Sequence, residues 1–168
     1  MRLILAIAAL LALATPAAAE TRYWAYDAAD RLTQSLTRGV TLEVERNLLG
    51  ATRVERIIST TARGSADIRR GGPDAAWRAL PEGSSERAVY TIVKEGDGRG
   101  LVTALCPGAR DAWLVVGRVR PGRPVVMHAV GLWEDGRHRH CARLTYDWRG
   151  EWAVPQGGRR PADSPIGQ

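Results

Sequence analysis

Apolar and polar residues alternate along much of this chain with a period of two. Leu42, Val44 and Leu48 are interleaved with Thr41, Glu43, Glu45 and Asn47, and Val54, Ile58 and Thr60 continue the parity after Leu49-Gly50-Ala51. Such alternation marks half-buried strands, here 40–48 and 53–61. Keeping both apolar faces on one side requires an odd connection of three or five residues, because a two-residue turn would set even against odd. In that register Arg46 and Arg56 share the mainly apolar face, as a pair of donors for a ligand carboxylate or phosphate.

Further strands are expected at 65–69, 88–94, 112–119, 124–132 and 139–149, with Arg120-Pro121-Gly122-Arg123 and Asp135-Gly136 as turns. Helical spacing of Ala28, Ala29, Leu32 and Leu36 behind Asp27, with Gly39 as a stop, predicts a helix over 28–37. The aromatic stretch 20–26 before it reads as extended. Pro73, Asp74 and Pro81 bracket a short helix that carries Trp77 and Leu80. Leu101 and Leu105 favour a helix at 101–106, with a strand as the alternative reading. Six or seven strands with two or three short helices predict an α+β fold, a mainly antiparallel sheet with the helices on one face; the alternative is a strongly curved all-β sheet or small barrel.

The N-terminus breaks this pattern. Arg2 is followed by an apolar run from Leu3 to Ala14, then Thr15, Pro16 and the small residues Ala17-Ala18-Ala19. That order is expected of a cleaved signal peptide over 1–19. The run is too short to span a bilayer, which takes about 20 apolar residues, so no transmembrane segment is expected after cleavage. A single domain over 20–154 should follow, and the Pro-, Gly- and charge-rich 155–168 reads as a disordered tail. The expected location is outside the cytoplasm: the periplasm of a Gram-negative cell, otherwise secreted.

Export changes the reading of the cysteines. Cys106 and Cys141 are the only two, and an exported pair is expected to form a disulfide. Charge adds less. The net charge is +6, and Lys94 is the sole lysine among 24 basic residues. GC-rich coding accounts for that arginine bias, although a positive surface still favours anionic partners. Basic clusters interleaved with aromatics are missing, so no nucleic acid is expected.

Candidate chemistry is concentrated near the C-terminus. His138 and His140 fall on one face of a strand, with His128 on the preceding one; the spacing matches no metal signature and the neighbouring arginines oppose a cation, so no metal is expected. Gly96-Asp97-Gly98-Arg99-Gly100 lacks phosphate-loop spacing, and no cofactor is expected. Trp148, Arg149 and Trp152 combine a flat ring with charge, as sugar-binding surfaces do. Asp147 and Glu151, four strand positions apart, lie about 13 Å from each other, too far for a glycosidase pair. Cys141-Ala142-Arg143 is similar to the end of the Ser-His-Gly-Cys-x-Arg motif of exported L,D-transpeptidases. The family's glycine and histidine before the cysteine are His140 and Arg139 here, and a disulfide explains Cys141 more simply.

These features lead to an expected non-enzymatic cell-envelope domain that binds or scaffolds an anionic envelope polymer or an envelope protein. The candidate binding residues are Arg46, Arg56, Trp148, Arg149 and Trp152. A small envelope hydrolase or transferase is the alternative, and oligomeric state is left open.

Overall fold

A computed structural model describes residues 20–46, 52–60 and 65–153. The expected signal segment 1–19 and tail 155–168 lie outside the described residues, as does most of the link between the first two predicted strands. Eight antiparallel strands close into a barrel in sequential order. They are β1 (Glu20–Ala28), β2 (Gly39–Arg46), β3 (Thr52–Thr60), β4 (Ser65–Arg70), β5 (Ala88–Ile92), β6 (Asp111–Val116), β7 (Val125–Leu132) and β8 (His138–Ala153). Three short helices interrupt the meander: α1 (Arg31–Leu36), α2 (Asp74–Arg78) and α3 (Gly98–Leu105).

The antiparallel expectation and the small-barrel alternative hold; an open sheet with helices on one face is not found. The difference lies in β1. Residues 20–28 form a full strand, with Trp24 and Tyr26 pointing inward, and this strand pairs with both β2 and β8. Asp27 and Ala28, expected at a helix start, belong to that strand. The helix begins three residues later, because the Asp30 carboxylate accepts the Thr33 N–H at 2.8 Å and so caps α1. Asp30 also accepts from the Thr33 and Thr145 hydroxyls, fastening the cap to β8.

Inward residues fill the barrel. Leu42, Ile57, Ile68, Tyr90, Leu114, Met127, Leu144 and Tyr146 are among the fully or almost fully buried side chains of one continuous cluster. A barrel of eight strands has an interior that side chains can just fill. α1 and α3 lie in connections at the same end of the barrel and touch each other. Leu101, Val102 and Leu105 of α3 join the main cluster and close that end.

α2 does not cap the barrel. It lies on the outer wall against β5 to β8, where Ala76 packs with Trp113, Val115 and Val130. Trp77 and Leu80 pack there too, as expected of residues that pin this turn. Cys106, the C-cap of α3, bonds Cys141 of β8, as expected from the sequence. Gly131 makes room for it: a Cβ there would lie 2.8 Å from the Ala109 Cβ and 3.0 Å from the Cys106 Cβ.

Three β-bulges set which side chains face in and which face out. In β3, Val54 opposes Val44 while Arg56 opposes Glu43, leaving Glu55 as the extra residue. In β8, Cys141 is extra against β7, and Arg149 is extra against β1. Each shifts the in–out alternation by one residue.

Candidate functional site

The bulge at Glu55 separates two of the residues expected to act together. Arg56 lies on the outer wall, not on the apolar face, and pairs with Glu43 at 3.3 Å and Asp67 at 3.7 Å. Arg46 is exposed at the end of β2, opposite Thr52. The expected shared face is corrected on this point: the extra residue turns Arg56 outward.

The bulge at Arg149 divides the C-terminal group in the same way. Trp148 turns inward and makes edge contacts with Trp24 and Tyr26, at ring-centroid distances of 5.8 and 5.3 Å. Arg149 projects outward to Asp27 at 3.4 Å. Trp152 opposes Tyr23 and is 48% exposed. Past the bulge, Glu151 accepts from Arg22 at 2.6 Å. Trp148 thus contributes to the packed interior, while Arg149 and Trp152 are surface residues of the same strand end.

The histidines are partly brought together. His128 and His140 are outward residues of neighbouring strands, and His128 Nδ1 lies 3.0 Å from His140 Nε2. The Cys141 bulge permits this, since it sets His140 opposite Val130 with its ring on the same outer face as His128. His138 is elsewhere, beside Trp113 at 5.2 Å between centroids. Among the described residues, no group of three or more His, Cys, Asp and Glu side chains is placed to hold a metal ion.

A residue with no signal in the sequence completes this array. Glu86 sits in the connection between α2 and β5, and its Oε2 lies 3.8 Å from His128 Nε2. That oxygen is buried without a hydrogen-bond partner among the described residues. The array opens into a hollow of about 330 Å³ lined by residues 81–86, His128 and Arg143. Ser84 and Ser85 are on its wall, and neither hydroxyl is hydrogen-bonded to a histidine among the described residues. Cys141 is oxidised in the disulfide, so it presents no thiolate.

Burial holds His128 below the ordinary imidazole value of 6.5, with the Glu86 carboxylate opposing the shift and His140 and Arg143 adding to it. Burial lowers His140 as well. An unfolded chain therefore takes up these protons before the folded one does. The stabilisation they carry is complete above about pH 6.5 and is lost as pH falls toward the lower folded values. Urea midpoints measured from pH 7.5 down to 5 should fall for the native protein, and an H128Q/H140Q variant should flatten this limb. An unchanged slope in that variant would remove the pair as its source.

A second polar hollow lies at the end of the barrel opposite α1 and α3. The connection between β6 and β7 carries Arg118, Arg120 and Arg123, which together line a space of about 480 Å³. Compared with protein families, curated proteins and solved structures, the chain matches none.

Proposed function

We propose that this chain is an exported, non-enzymatic domain that binds an anionic polymer or a protein of the cell envelope. The observation that carries this reading is the filled barrel. Its lumen is occupied by its own tyrosines, leucines, isoleucines and methionine. Recognition then falls to the outside, where a mature chain of net charge +5, the full chain's +6 less Arg2, favours negative ligands. The apolar run Leu3–Ala14 followed by small residues supports export. No helix of the described residues is long and apolar enough to cross a membrane.

The mature protein, beginning at Glu20, is expected to be retained on beads carrying either of two anionic polymers, polyphosphate or alginate, and to pass through neutral dextran beads. Retention should weaken as salt rises, because exposed charges are screened over about 8 Å at physiological ionic strength. Passage through both anionic matrices at low salt would overturn the anionic-polymer reading.

A further inference from the structure

Arg118, Arg120 and Arg123 stand out because they gather around one space. Arg22, Arg53, Arg56, Arg110, Arg139 and Arg149 each have a carboxylate partner. The three arginines of the β6–β7 connection have none among the described residues, and all three are exposed. The segment from Gly117 to Pro124 contains no acidic residue. Like charges gathered around one space without counter-charges repel each other, and a bound anion relieves that repulsion.

The loop is built to hold its shape. Arg120 accepts the Arg123 N–H at 3.3 Å, and Gly122 has φ of +69°. Pro121 and Gly122 are then the central residues of a type II turn, which needs a left-handed conformation at its third position. Pro124 restricts the exit, and the Tyr26 hydroxyl donates to the Arg120 carbonyl at 3.4 Å, tying the turn to β1. The Gly117 N–H bonds the Val126 carbonyl at the base. A ligand therefore meets guanidinium groups carried on a preordered backbone, which reduces the entropy lost on binding.

We infer that Arg118, Arg120 and Arg123 form a binding site for the phosphate groups of an anionic polymer. This rests on the reading given under Proposed function and names its site and ligand chemistry. A lone carboxylate is satisfied by one forked guanidinium, whereas a phosphate offers more oxygens and more charge to several at once. A polymer fits better than a lipid surface. Among the described residues, the large exposed apolar ones are Leu32 and Trp152, and neither is in this loop, so it has no apolar side chain of that kind to insert between lipids.

The test compares the native protein with an R118A/R120A/R123A variant and a control, R31A/R38A/R99A, that removes equal charge from exposed positions elsewhere. Binding to long-chain inorganic polyphosphate is measured at low salt, beside alginate, orthophosphate, and phosphatidylglycerol vesicles. The native protein should prefer polyphosphate to alginate. The loop variant should lose about ten- to a hundredfold in affinity, and the control less than about threefold. Orthophosphate should bind weakly and compete. Equal losses in both variants, equal binding of alginate, or stronger binding to vesicles would each overturn the inference while leaving the broader reading intact. Failure of the native protein to bind polyphosphate alone would overturn the inference, and failure to bind both polyphosphate and alginate would overturn the broader reading as well.

Discussion

Replacing Tyr146 by alanine is expected to destabilise the protein by about 3–5 kcal/mol, the range for removing a large buried aromatic ring. Tyr146 is 0% exposed and belongs to the cluster that fills the barrel. Its hydroxyl lies 2.8 Å from Thr37 Oγ1, and burial pushes the phenol up to about 12, so it stays neutral across the physiological range. Thr37 is the C-cap of α1, and the neighbouring Thr145 is held by Asp30, the N-cap of the same helix. The ring thus fills the lumen while its hydroxyl fastens the cap above it. A Tyr146→Phe variant separates these contributions: it keeps the packing, loses the hydroxyl, and should cost about 1 kcal/mol. Urea unfolding of both variants is the measurement. A loss below about 1 kcal/mol in Tyr146→Ala would contradict the filled interior.

Removing the disulfide should have an effect of similar size. Cys106 and Cys141 are 35 positions apart, and closing a loop of that length is worth about 3–4 kcal/mol in the chain-entropy model. A double Cys106→Ala, Cys141→Ala variant should melt about 10 °C lower or more. The effect is local as well as global. Cys106 ends the helix that closes the barrel, and Cys141 is the bulge residue that precedes Ala142 and follows His140. Hydrogen exchange should therefore accelerate first in α3 and in β8 near His140. Equal melting temperatures for the double variant and for the native protein, whose bridge is confirmed by thiol titration, would rule out a stabilising bridge.

The strands of this barrel were legible because burial on one side imposes a period of two. The turn at 120–123 and the short helix after Pro73 were legible because proline and glycine restrict the backbone in specific ways. The bulges were not. Glu55, Cys141 and Arg149 carry no side-chain signal for an extra residue, yet each reverses the facing of its neighbours. That is why Arg56 leaves the face expected for it with Arg46, and why Trp152 faces away from the side that holds Trp148. β1 was read only as an extended stretch, because a helix pattern overlapped its end; pairing with β8, more than 100 residues away, decided the matter. Glu86 was invisible for a different reason, since a charged residue in a polar connection has no local pattern. The arginines of the β6–β7 loop were readable as residues but not as a group, since an arginine-rich composition hides any local concentration of charge.

The closed strand order has one more implication. An open sheet offers a partner its edge, a row of free N–H and C=O groups on which another chain can add a strand. Here β1 is paired on both sides, and β8 pairs with β7 up to Tyr146 and with β1 from Tyr146 onward. A protein partner thus finds no free strand edge along β1, where recognition must run through side chains. For the proposed ligand, that leaves shape and charge rather than strand addition as the means of recognition there.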